Sequence, residues 1–82
     1  MIVCKVKDGR RIKGYVSYDS TADYPYFSAV GKPSDNMVVG GSYKTFDEAI
    51  RKCMKATGIC SFSVVKGFSC GFNDGKYFIK SC

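Results

Sequence analysis

Apolar and polar residues alternate from the first strand-like stretch onward. Ile2, Cys4 and Val6 fall on one side, and Val3, Lys5 and Lys7 on the other. Asp8-Gly9 is a hairpin signal. Alternation resumes over residues 10–18, with Ile12, Gly14 and Val16 set against Arg11, Lys13, Tyr15 and Ser17. A three-residue loop, Lys7-Asp8-Gly9, would pair Cys4 with Ile12 and Lys5 with Arg11. That register gives one apolar and one basic face, so it is the expected one.

Residues 19–25 read as a loop, Tyr26 to Val30 as a third strand, and residues 31–36 as a turn cluster. Met37-Val38-Val39 reads as a short fourth strand ended by Gly40-Gly41. The helix signal follows. Thr45 and Glu48 have the capping-box spacing. Phe46, Ala49, Ile50, Cys53, Met54 and Thr57 recur at helical spacing, and Gly58 is a stop. Ile59 to Lys66 is the next predicted strand, with Cys60, Phe62 and Val64 facing in. A two-residue Asp74-Gly75 loop would close a last hairpin, aligning Phe72 with Tyr77 and Cys70 with Ile79. The expectation is one α+β domain over residues 1–82. It has an antiparallel sheet of about six to seven short strands with a single amphipathic helix (about 46–57) on one face, in the order ββββαβββ.

Composition narrows the function. The 82 residues carry a net charge of +6, unevenly placed. Residues 1–13 hold Lys5, Lys7, Arg10, Arg11 and Lys13 against Asp8 alone, whereas residues 14–43 hold only Lys32 against Asp19, Asp23 and Asp35. A surplus concentrated in the first hairpin suits an acidic partner. There is no histidine, and the five cysteines show no C-x-x-C pair, so zinc-finger spacings are absent and no metal or cofactor is expected. Ser-His, Cys-His and His-metal chemistry are excluded. Asp47 and Glu48 belong to the helix start and Asp8 and Asp74 to turns. Asp19, Asp23 and Asp35 are left scattered in loops, and the chain reads as a non-enzyme. A thiol nucleophile at Cys82 or Cys4 has no visible base. No apolar run approaches the roughly 20 residues of a membrane helix, and the alternating start is unlike a signal peptide, so a cytoplasmic location is expected.

Three sets of residues are candidates for binding. The first is the basic hairpin face, Lys5, Lys7, Arg11, Lys13 and Tyr15. Its like charges are costly across a ladder unless they meet phosphates or carboxylates. The second is the tyrosine-rich segment with Tyr18, Asp19, Asp23, Tyr24 and Tyr26, a composition suited to protein contact. The third is the helix's outer basic face, Arg51, Lys52 and Lys55.

The run Gly40-Gly41-Ser42-Tyr43-Lys44-Thr45-Phe46-Asp47-Glu48-Ala49-Ile50, followed by strands, is similar to a segment in the antitoxin half of HicAB-type toxin–antitoxin systems. With the closing Asn73-Asp74-Gly75 hairpin, residues 37–80 resemble small phage-encoded anti-CRISPR proteins somewhat more. That resemblance implies a non-enzymatic inhibitor acting in the host cytoplasm. It would cover a nucleic-acid or partner site on a larger nuclease or defence complex. The expected partner is therefore an acidic surface of a protein or nucleoprotein complex. The alternative is a direct nucleic-acid-binding domain that holds the DNA or RNA phosphate backbone on the basic hairpin. An antitoxin-like or regulatory interaction module comes third. The chain is expected as a monomer or small homo-oligomer.

Overall fold

The helix N-cap forms at Thr45, where the sequence predicts it. In the computed structural model, which describes residues 1–32, 34 and 39–81, helix α1 spans Phe46–Thr57. The Thr45 hydroxyl accepts from the Glu48 backbone N–H, and Gly58 closes the helix in the left-handed conformation at φ 74°. Phe46, Ala49, Ile50 and Cys53 are buried, and they form the stripe that the spacing predicts.

The stripe lies on a sheet of five antiparallel strands: β1 (Ile2–Asp8), β2 (Arg11–Tyr18), β3 (Tyr26–Val30), β4 (Val39–Tyr43) and β5 (Phe62–Val64). Their spatial order is β4-β3-β2-β1-β5. Strands β6 (Phe68–Asn73) and β7 (Lys76–Ser81) form a separate two-stranded sheet. The expectation of one sheet with six to seven strands is thus corrected to five plus two. Phe68, Cys70, Tyr77 and Ile79 pack on the main core, so the β6–β7 hairpin acts as a second cover beside the helix.

The last hairpin has the expected register, with Phe72 opposite Tyr77 and Cys70 opposite Ile79. Asp74 and Gly75 both take positive φ, at 52° and 77°, as a two-residue hairpin turn with primed geometry demands.

The first hairpin departs from expectation. Its loop is Gly9-Arg10, with Asp8 opposite Arg11. Lys5 pairs with Tyr15, Cys4 with Val16 and Val6 with Gly14. Strict alternation fails because the ladder carries two irregularities, one between Ile2 and Cys4 and one between Val6 and Lys7. The first puts Val3 in the core beside Cys4, at 1% exposure, rather than on the outer face. The second leaves Lys13 without an opposite residue. The expected Lys5–Arg11 and Cys4–Ile12 pairs do not form. An opposite-charge pair, Asp8 and Arg11, stands at the turn where the uninterrupted register would have set like charges against each other.

Two other boundaries shift. Gly40 and Gly41 lie inside β4 instead of ending it, while the predicted strand residues Met37 and Val38 lie outside the described residues. Strand β5 is confined to Phe62–Val64. Phe62 and Val64 pair with Val6 and Cys4 on the core side, but Cys60 is exposed. Edge-on aromatic contacts run across the core from Tyr26 to Phe46, Phe62 and Tyr77, with centroids 6.0, 6.2 and 5.6 Å apart. No helix among the described residues is long and apolar enough to cross a membrane.

Candidate binding face

Residues paired across a ladder share a face, so the registers sort the whole sheet. Cys4, Val6, Gly14, Val16, Tyr18, Tyr26, Ser28 and Phe62 share the side that carries α1 and the β6–β7 hairpin. The opposite side holds Ile2 and Ser17 with Phe27 and Ser42 in one row. The next row is Ser63, Lys5, Tyr15, Ala29 and Gly40. Beyond it stand Lys7 and Ile12, and the bulge brings Lys13 to the same side.

No element among the described residues covers this side. The hydrophobic groups packed on the core all belong to the other side or to its covers. Ile12, Tyr15, Phe27, Lys5 and Lys7 are half-buried among themselves, and Lys13 is exposed. The open face therefore has aromatic rings on β2 and β3, with lysines along β1 and at the β2 bulge. None of the described Asp or Glu residues lies on it.

Four of the five residues expected on the basic face are brought together here: Lys5, Lys7, Lys13 and Tyr15. Arg11 is not among them, because its place opposite Asp8 puts it at the turn and on the other side. Phe27 is the residue that sequence reading missed. It lies beyond the hairpin on β3, and only the pairing of Ser17 with Phe27 sets it diagonally beside Tyr15. Alternation within residues 26–30 was the available signal, but it does not say which side is covered.

The tyrosine-rich segment divides. Tyr18 and Tyr26 sit on the covered side with ring centroids 5.0 Å apart. They flank a groove of about 570 Å³ whose walls include Val3, Phe68 and Ile79. Burial, with Tyr18 beside it, pushes the Tyr26 phenol up. Asp19 turns inward on its own loop, accepting from the Thr21 hydroxyl at 2.7 Å and the Thr21 N–H at 3.0 Å. Those two bonds, hydroxyl first, hold its carboxyl below the usual carboxylate value. Tyr24 is 52% exposed, with the Lys44 ammonium 5.6 Å from its ring centroid, and Asp23 is exposed.

On the helix, Arg51 has structural duties. Its Nε donates to Asp47 at 2.9 Å and its Nη2 to the Gly75 carbonyl at 2.8 Å, and the guanidinium lies 5.3 Å from the Tyr77 centroid. Lys52 and Lys55 are exposed on the helix surface.

Cys4, Cys53 and Cys70 offer little reactivity. Burial, with Cys53 and Cys70 nearby, pushes Cys4 up to about 12, and burial also raises Cys53 and Cys70. Among the described residues no three His, Cys, Asp or Glu side chains cluster as metal ligands would. Comparison with protein-family models, curated proteins and solved structures finds nothing similar to the chain.

Proposed function

We propose that this chain is a non-catalytic binding protein that takes an acidic partner on its open sheet face. One observation carries the reading. Both covers of the five-stranded sheet lie on one side, and the other side gathers Lys5, Lys7, Lys13, Tyr15 and Phe27 with no carboxylate among them. An inhibitor of the anti-CRISPR type would lay this face over an acidic site on a larger nuclease complex in the host cytoplasm. Aromatic rings interleaved with lysines favour nucleic acid as the acidic partner.

The test compares two double variants that alter net charge equally. Lys5→Glu/Lys7→Glu is expected to elute from a heparin column at much lower salt than the parent. Lys52→Glu/Lys55→Glu, on the helix, is expected to shift elution far less. If the helix pair costs as much retention as the sheet pair, polyanion binding is not focused on the open face and the reading fails.

A further inference from the structure

We infer that the open face is a stacking platform for single-stranded nucleic acid, with successive bases on Tyr15 and Phe27 and phosphates along Lys5, Lys7 and Lys13. This rests on the reading that the face binds an acidic partner, and goes on to name the partner's chemistry.

Shape decides against a duplex. Five strands about 4.8 Å apart make a face roughly 19 Å wide. The major groove is about 12 Å wide and admits a helix or a two-stranded ribbon. A face that broad meets a duplex only at a few ridge phosphates, which would leave its rings unused.

The rings fit unpaired bases. Tyr15 stands opposite Ala29 and Phe27 opposite Ser17, so the two aromatics are diagonal neighbours on β2 and β3. Such neighbours lie about 7–8 Å apart, which suits consecutive bases splayed from a flexible backbone. Ser17, Ser42 and Ser63 around them are small, while Ala29 beside Tyr15 is fully buried and the Phe27 ring tip lies next to Gly40. Each base presents a π-face whatever its identity, so binding of this kind is tolerant of sequence.

The lysines supply charge on one flank. Lys5 stands directly opposite Tyr15, and Lys7 opposite Ile12. A backbone following β1 would pass both and reach Lys13 at the bulge. The complementarity is one-sided: Asp8, which ends β1 after Lys7, pairs with Arg11 on the other side, and Asp19 and Asp23 sit in the loop joining β2 to β3.

The experiment uses a labelled twelve-nucleotide oligo(dT), its RNA counterpart, a duplex of the same length and heparin. Single strands are expected to bind more tightly than the duplex. Three neutralised phosphates give a slope of log K against log salt near −2, at about −0.7 per phosphate. Tyr15→Leu and Phe27→Leu should each weaken binding by at least about fivefold and leave that slope unchanged. Lys5→Gln should flatten it by about 0.7.

The chain has no tryptophan, so Tyr15→Trp installs a single indole whose fluorescence base stacking should quench. This readout decides the matter if a leucine variant does not fold. Duplex binding equal to or tighter than single-strand binding overturns the inference. So does an unquenched indole at saturation. In both cases heparin retention through Lys5 and Lys7 would leave the acidic-partner reading standing. Loss of all polyanion binding, heparin included, overturns both.

Discussion

Gly14 shows how one position sets the spacing of the whole molecule. Its missing side chain lets the helix settle on β2. A Cβ built there would lie 2.6 Å from the Cys53 sulfur, 2.8 Å from the Ala29 carbonyl oxygen and 3.1 Å from Thr57 Cγ2. Cys53 in turn donates to that carbonyl at 3.4 Å, so the thiol is wedged between helix and sheet. Gly14→Ala must lift the helix and is expected to cost about 1–3 kcal/mol. In a domain of this size that lowers the melting temperature by several degrees. Adding Cys53→Ala should recover part of the loss and no more, because the carbonyl clash remains. Full recovery or an unchanged melting temperature in the single variant, read by thermal unfolding, would contradict the packing. Gly14 was legible in the sequence as a core-side residue. Its role was not, since the close approach depends on a partner 39 positions away.

One carboxylate helps tie two elements together. Asp47, in the first helical turn, accepts from the Tyr77 N–H at 2.8 Å and from Arg51 at 2.9 Å, tying α1 to β7. Burial works against its charged form, but the Tyr77 and Arg51 bonds and the nearby Lys76 leave it below the ordinary carboxylate value of 3.8. A depressed folded value means that its stabilisation is complete above the unfolded value and is lost as pH falls through the folded one. Asp47→Asn should therefore lower stability near pH 7 by about 1–2 kcal/mol, and the gap from the parent should narrow below pH 3.8. Urea titrations at several pH values check it. A gap that widens in acid would contradict the sign.

At this scale the helix and the Asp74-Gly75 hairpin were readable because local signals agree with the tertiary structure. The first hairpin was not. Its alternation is real, but the bulges at Val3 and Lys13 change which residues meet, and nothing in composition marks them. Strand β4 was mistaken for the same kind of reason. The Phe27 ring comes within 2.9 Å of where a Gly40 Cβ would stand and the Ser28 carbonyl oxygen comes closer still, so this glycine marks a close approach inside a strand instead of a strand end.

The core as a whole is sealed unevenly. Cys4 and Cys53 are fully buried and Cys60 is exposed. Brief alkylation of the native protein should modify Cys60 at once. Cys4 and Cys53 should label only as fast as the molecule opens, and the rate should rise with sub-denaturing urea. Mass mapping reads the order, and equal rates at Cys4 and Cys60 would show the core to be open. Much of the candidate site was visible at this scale too. The concentration of basic residues in the first thirteen positions pointed to β1 and the start of β2. Whether they met solvent or a covering layer depended on where the last hairpin docks, and no local pattern encodes that.

Strand order also bears on the route by which the chain reaches this structure. Strands β1 to β4 pair as sequence neighbours, so most of the sheet closes through short loops. The β1–β5 ladder is the exception, joining Val6 to Phe62 across more than half of the chain. Closing so long a loop for only three residue pairs is entropically costly and poorly rewarded until the helix and the last hairpin are also in place. The edge of β1 is therefore expected to pair late, with capture of a three-residue strand among the last steps of folding.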